Sequence, residues 1–279
     1  MQFQFNKLTS NSESEVYIRQ SFLGKNSERN FDNLRVGIVG LGGGGSHIAQ
    51  QLAHLGVKNI TLFDDDVIEA SNLNRLVGGK YADLLSQESK CTIARRLILE
   101  ILPSANIVEV ISKWQLRAEE LQKCDVIFGC VDTYSARQQL EAECRRYLIP
   151  LIDIGMDIHG IGTNEKFLSG QIILSMPGMP GMQNMGFLTE EKLATEAAKY
   201  GNVGGRPQVI WPNGVLASSA IGVFVDIVTG WTGQDDKLIY LSYDGNAGTL
   251  SPHVRLNFID RSINEFDIKE TGKAMFKKL

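Results

Sequence analysis

Gly40, Gly42 and Gly45 stand in G-x-G-x-x-G spacing between an apolar run, Arg35–Val39, and a helical pattern. Glycines so spaced let the chain turn tightly and bring its backbone against a phosphate or ribose. The helix that follows offers free N–H groups and the positive end of its dipole. Asp64 closes the next apolar run, Asn59–Phe63, where a carboxylate can accept hydrogen bonds from ribose hydroxyls. The pattern points to a nucleotide and leaves open which one. NAD, FAD and ATP all carry an adenosine ribose.

Further polar positions narrow the chemistry. Ser71-Asn-Leu-Asn-Arg75 follows the cluster Asp64–Asp66 in a loop, where a fixed Arg and Asn can face a ligand. Lys90 opens a helix. A cation there opposes the helix dipole and hints at an anion nearby; the competing reading is a solvated lysine beside Glu88. Asp132 follows the strand Val126–Cys130, at the carboxyl edge of the sheet where doubly wound folds bind ligands. It can also cap the helix that begins near Ser135. Arg75 and Lys90 suit phosphates, and Asp132 suits a divalent metal. Hydride transfer needs no such set. A triphosphate losing pyrophosphate does, because charge grows on the α-phosphoryl oxygens and the leaving group.

The elements that must position these residues follow from hydrophobic period. Strands are expected at Arg35–Val39, Asn59–Phe63, Ile107–Ile111, Val126–Cys130 and Pro150–Ile154. Helices are expected from Ile48 to Leu55, over Lys90–Leu102, as a short piece at Arg117–Lys123, and over Ser135–Tyr147. Alternation of this kind predicts an α/β fold: a Rossmann-like, doubly wound, mainly parallel sheet. After about Gly155 the alternation weakens. Gln171–Leu174, Leu238–Ser242 and Val254–Ile259 read as strands, which continue the sheet in antiparallel fashion through the C-terminal half. Helices are expected near Glu190–Lys199 and over Ala217–Val228. Residues 1–34 read as an N-terminal arm with a short helix near Val16–Phe22. Residues 35–279 read as one domain, with a nucleotide-binding half (35–155) and a half for substrate and dimerisation (156–279).

The chain has 279 residues, 43% hydrophobic and 22% charged, ordinary for a globular protein. A net charge of −4 does not favour nucleic acid. Residues 1–20 hold no apolar core of signal-peptide length. The most apolar stretch, Val215–Trp231, is interrupted by Ser218, Ser219, Gly222 and Asp226. No membrane partner and a cytoplasmic location are therefore expected. Of 28 glycines, four are consecutive, Gly42–Gly45. The four cysteines, Cys91, Cys124, Cys130 and Cys144, form no C-x-x-C pair, so neither a disulfide framework nor structural zinc is expected.

Residues 15–160 resemble the MoeB/ThiF/HesA superfamily, ATP-dependent activators of ubiquitin-like proteins. The resemblance rests on Tyr17-Ile-Arg-Gln20, Gly40-Leu-Gly-Gly-Gly-Gly-Ser46, Phe63-Asp-Asp-Asp-Val-Ile-Glu-Ala-Ser-Asn-Leu-Asn-Arg75, Lys90, Cys130-Val-Asp132 with Arg137, and Pro150-Leu-Ile152. It implies a ThiF-type adenylation domain. Asp64 would hold the ribose, Asn72, Arg75 and Lys90 the phosphates, and Asp132 a Mg²⁺ ion. Arg19 matches an arginine that in relatives reaches across a homodimer to the partner's ATP.

The implied reaction converts ATP and the C-terminal carboxylate of a ubiquitin-like protein, typically ending in Gly-Gly, into an acyl-adenylate and pyrophosphate. A conjugating enzyme or a sulfur donor would take the acyl group onward. Other acceptors are the alternative: a small peptide or a tRNA nucleoside. A non-catalytic scaffold subunit and an NAD-dependent oxidoreductase stand further off. Downstream, Gly170-Gln-Ile-Ile-Leu174, Gly205-Arg-Pro-Gln-Val209 and Trp211-Pro-Asn-Gly-Val-Leu-Ala217 are similar to stand-alone activators of bacterial ubiquitin-like operons. The sequence departs from many relatives in having no cysteine after Cys144.

Cys130 and Cys144 read as core. Cys91, next to Lys90 at a helix start, is the thiol best placed for a thiolate, though it too reads as structural. Residues 176–186, rich in methionine, read as a flexible, adaptable surface. Lys273–Leu279 reads as a solvated tail.

Overall fold

Among the residues described by the computed structural model (15–198, 207–233 and 238–260), eight strands form one mixed sheet. They are β1 (Arg35–Val39), β2 (Asn59–Phe63), β3 (Asn106–Val110), β4 (Val126–Gly129), β5 (Leu151–His159), β6 (Phe167–Ser175), β7 (Tyr240–Asp244) and β8 (Thr249–Pro252). Their order is β3-β2-β1-β4-β5-β6-β7-β8. The strands from β3 to β5 pair in parallel, and those from β5 to β8 antiparallel. The expected Rossmann-like α/β sheet with an antiparallel extension is what forms.

Before β1, residues Glu15–Leu23 form a 3₁₀ helix and Ser27–Asn33 form α1. Phe31 of α1 is fully buried, 5.9 Å from the ring of Phe224. The remaining helices are α2 (Gly43–Leu55), α3 (Tyr81–Ser86), α4 (Lys90–Ile101), α5 (Ala118–Leu121), α6 (Tyr134–Arg146), α7 (Glu190–Ala198) and α8 (Ile210–Thr229). On α2, Ile48, Ala49, Leu52 and Ala53 make the apolar stripe that buries against the sheet. Gly56, at φ +88°, stops the helix. Its N–H donates to the Ala53 carbonyl and the Val57 N–H to that of Leu52.

Alternate strand residues feed two cores. Ile38, Phe128, Ile152 and Ile172 face α2 and α8, whereas Val39, Ile127, Leu151 and Ile173 face α6 and the 176–188 segment. Helix α8 is longer than the expected Ala217–Val228. At 20 residues and mean hydropathy 1.4 it is long and apolar enough to cross a membrane by length and composition. Its inner face, including Leu216, Ala220 and Phe224, is buried against α2 and the sheet, which accounts for that apolarity.

Two expectations fail. Val254–Asn257 is a 3₁₀ turn, not a strand: the His253 ring Nδ1 accepts the Arg255 N–H and starts the turn. The strand lies just before it, at Thr249–Pro252. The Asp244 carboxylate accepts the N–H groups of Asn246 and Ala247, and this turn sets the hairpin with β7. The methionine-rich segment is not a flexible surface, since Met182 and Met185 are fully buried. Glu141 and Arg145 of α6 hold it. Ser175 and the Met182 N–H donate to Glu141 Oε1 at 2.6 and 2.8 Å, and Arg145 donates to Ser175 Oγ and the Met179 carbonyl. Lys199, Gly205, Arg206 and the tail Lys273–Leu279 lie outside the described residues.

Glu141 and Arg145 are both almost wholly buried and share Ser175. Removing one leaves the other charged and uncompensated. Arg145→Met should lower the unfolding free energy by about 3–5 kcal/mol in urea titration. Adding Glu141→Leu to it should cost far less than the sum of the two single changes.

Candidate functional site

The register of the parallel strands levels three chain positions at one edge. Val39 pairs with Phe63 on one side and Gly129 on the other, so Gly40, Asp64 and Cys130 emerge side by side. Gly40 turns at φ +90°, and a Cβ there would lie 2.5 Å from the Cys130 carbonyl oxygen. A Cβ on Gly45 would lie 1.9 Å from the Gly40 carbonyl oxygen. These two glycines are steric requirements of the turn. Gly42 differs: a Cβ there meets nothing within 4 Å. It is the N-cap of α2, and no side chain caps the helix. The N–H groups and positive dipole end of α2 therefore remain available to an anion.

A cavity of about 980 Å³ opens over this edge. Gly40, Gly42, Gly43, Asp64, Asn72, Arg75, Lys90 and Asp132 all line it. Two residues expected at the site do not. Gly45 sits beneath the turn, and Arg19 is exposed on the 3₁₀ helix Glu15–Leu23. Gly56, packed against the Tyr17 ring, anchors that helix to the end of α2.

Asp64 ties several stretches of the cavity together. Its Oδ2 accepts the Leu41 N–H at 2.6 Å and its Oδ1 the Asp66 N–H at 2.9 Å. Burial pushes its carboxyl above the usual carboxylate range, and Lys90 opposes that rise. Lys90 Nζ lies 3.8 Å from Asp64 and 2.6 Å from Asp66. The anion that its position implied is thus supplied by the chain itself, and Lys90 is largely buried, not solvated beside Glu88. Asn72 Oδ1 accepts the Glu69 N–H and shapes the 3₁₀ turn Ala70–Asn72. Arg75 Nη1 donates to the Ser71 carbonyl at 2.6 Å. Its Nε is buried with no hydrogen-bond partner among the described residues, so it remains a donor for an anion.

Asp132 is exposed at the cavity wall and is not the cap of α6. Thr133 takes that role, its hydroxyl accepting the Ala136 N–H. Arg137 braces the strand end behind Asp132, donating to the Val131 and Ile154 carbonyls and pairing with buried Asp153. The carboxylate of Asp132, with phosphate oxygens, is a donor set that fits a hard cation such as Mg²⁺. The carboxylates of Asp64, Asp65 and Asp66 also lie within 4.8 Å of one another, with Lys90 paired among them.

Asn213 of α8 lines the same cavity and was not singled out as a site residue in the sequence. Its carboxamide packs over Gly43, where a Cβ would stand 2.5 Å from Nδ2. The signal was the single amide of a predominantly apolar helix.

No thiol in the described chain is primed. Cys91 donates to the Asp64 carbonyl at 3.4 Å, and burial, then the Asp64 charge, pushes its thiol up to about 12. Burial raises Cys124 to about 12 and pushes the Cys130 and Cys144 thiols up as well.

The ThiF family model matches residues 17–163. The ubiquitin-like modifier-activating enzyme 5 of Dictyostelium discoideum is 32% identical over 165 residues, 55% of this chain and 41% of that protein. The molybdopterin-synthase adenylyltransferase of Haemophilus influenzae is 36% identical over 117 residues, 41% of this chain and 47% of that protein. The chain thus spans less than half the length of these relatives. Among solved structures, Escherichia coli MccB with ATP aligns at TM-score 0.69 and 17% identity, over 86% of this chain and 71% of that one. PaaA aligns at TM-score 0.68 and 21% identity, over 90% and 85%. These two likenesses are of fold.

Gly45→Ala should cost about 2 kcal/mol or more in stability, whereas Gly42→Ala should stay within about 0.5 kcal/mol; thermal unfolding compares them. An aromatic disulfide reagent at neutral pH should find no fast-reacting thiol in the native chain and four after unfolding.

Proposed function

The chain belongs to the ThiF family, and from that footing we propose that it uses ATP to adenylate the C-terminal carboxylate of a ubiquitin-like protein. A carboxylate oxygen attacks the α-phosphorus, the bond to the β-phosphate oxygen breaks, and acyl-adenylate and pyrophosphate result. One observation carries the reading: the uncapped N-terminus of α2, Asp64, Arg75, Lys90 and Asp132 line a single cavity.

In this reading Asp64 accepts from the ribose hydroxyls beside the glycine turn. Arg75 brings its unpartnered Nε to the phosphates, with Asn72 alongside. Lys90 exchanges Asp66, its exposed partner, for phosphate oxygens. Fixed donors of this kind stabilise the charge that grows as pyrophosphate leaves. Asp132 would hold Mg²⁺, which supplies Lewis-acid stabilisation to the phosphoryl oxygens when bound. Arg19, exposed and outside this chain's cavity, acts in the partner's site of a homodimer. The acyl group then passes to an acceptor outside the chain, a conjugating enzyme or a sulfur donor, because the chain's own thiols are held protonated.

A small-peptide substrate is the second reading. It keeps the other acceptor that the sequence left open, and the fold shared with MccB over 86% of this chain is compatible with it.

ATP–pyrophosphate exchange that depends on a ubiquitin-like protein ending in Gly-Gly tests the first reading; exchange dependent on a short peptide alone would replace it with the second. Lys90→Ala and Asp132→Ala should each lower exchange by roughly 10²-fold or more. Mixing Arg19→Ala with Asp132→Ala chains should restore exchange that neither shows alone. No restoration would place Arg19 outside the reaction.

A further inference from the structure

Two helices, α2 and α6, begin at the cavity, from adjacent parallel strands β1 and β4. They are finished differently. The first turn of α2 carries no side-chain cap. The first turn of α6 is filled. Thr133 takes the Ala136 N–H, and the Glu196 carboxylate accepts the N–H groups of Tyr134 and Ser135, both at 2.8 Å. Glu196 comes from α7, more than 60 residues further along the chain. A carboxylate accepting two successive amides at a helix N-terminus is a charge-assisted pair of bonds reinforced by the dipole.

Those two amides directly follow Asp132 and Thr133. The turn that displays the Asp132 carboxylate is therefore held from one side by Arg137, on the Val131 carbonyl, and from the other by Glu196. Helix α7 itself has no buried residue. Besides Glu196, Lys192 secures it: Nζ donates to the Phe187 carbonyl and lies 4.8 and 5.2 Å from the ring centroids of Phe187 and Tyr134. Lys192, Glu196 and Tyr134 also line a second cavity of about 530 Å³, and Tyr134 and Asp157 belong to both cavities.

We propose that Glu196 is a positioning residue for Asp132: by fixing the first turn of α6 it sets the carboxylate for the metal, and it makes that setting depend on the docking of α7. This rests on the assignment of Asp132 to Mg²⁺ above. Glu196 touches neither metal nor nucleotide; it acts through Tyr134 and Ser135. The docking of α7 over the second cavity thereby becomes a condition for a competent metal site.

The experiment compares wild type, Glu196→Gln and Glu196→Ala with Glu190→Gln, an exposed change on the same helix. Mn²⁺ affinity is measured by electron paramagnetic resonance in the presence of a non-hydrolysable ATP analogue. Analogue affinity without metal and hydrogen exchange at Tyr134 and Ser135 are read in parallel. Both Glu196 variants should weaken Mn²⁺ binding on the order of 10-fold, as loss of a group supporting a metal ligand does. They should speed exchange at the two amides and leave metal-free analogue binding within about twofold, less than the change for the metal. Glu190→Gln should match wild type. Unchanged Mn²⁺ affinity with faster amide exchange makes Glu196 a helix cap only and overturns the proposal. Wild type that binds analogue but shows no Mn²⁺ dependence on Asp132, tested with Asp132→Asn, removes the metal assignment and the proposal together. Wild type that binds no analogue overturns the adenylation reading itself.

Discussion

Everything at the carboxyl edge of the parallel strands hangs on how Asp64 is accommodated. A carboxylate this deep is costly unless its lone pairs and charge find partners. The partners come from three stretches: the Leu41 N–H in the glycine turn, the Asp66 N–H in the acidic loop after β2, and Lys90 at the start of α4. Satisfying one group thus fixes the turn, the acidic loop and the next helix relative to one another. The Lys90 N–H also donates to the Asp66 carbonyl, so backbone and side chain of the same residue hold the same loop. The glycines make this possible by allowing the backbone to pass within reach, and Gly40 and Gly45 do so by lacking a Cβ.

Local signals made the first half of the chain legible. Strands β1, β2 and β4 are short apolar runs bounded by Gly or Asp, and α2 and α4 show a clean stripe, so period and punctuation agree with the fold. Gly40, Asp64 and Asp132 follow strand ends and Gly42, Gly43 and Lys90 sit at helix starts, positions that a parallel sheet brings to a common edge, while Asn72 and Arg75 reach the same cavity from the 3₁₀ turn Ala70–Asn72 and the residues after it. What period could not show is which partner a polar residue finds. Lys90 found Asp66, Asp132 gave up the cap of α6 to Thr133, and Asn213 came in from a distant helix.

The second half was harder because its order is non-local. Strands β5 and β6 run nine residues each, beyond their apolar cores, because they pair from Leu151↔Ser175 to His159↔Phe167 and extend each other. The methionine-rich segment has the composition of a mobile surface. It becomes core because Glu141 and Arg145, themselves unreadable as buried, bond its backbone to α6. A hairpin turn at Asp244–Gly248, not β propensity, decided that the last strand precedes Val254.

The placement of the thiols has a bearing on redox chemistry. Sulfhydryls that stay protonated and sit within or beside the core react slowly with peroxides, since oxidation begins from an accessible thiolate. A chain built this way should respond only slowly, through its own thiols, to the oxidation state of its surroundings. On the proposed reading, in which the acyl group passes to a sulfur nucleophile outside the chain, sensitivity to oxidants would reside in that nucleophile.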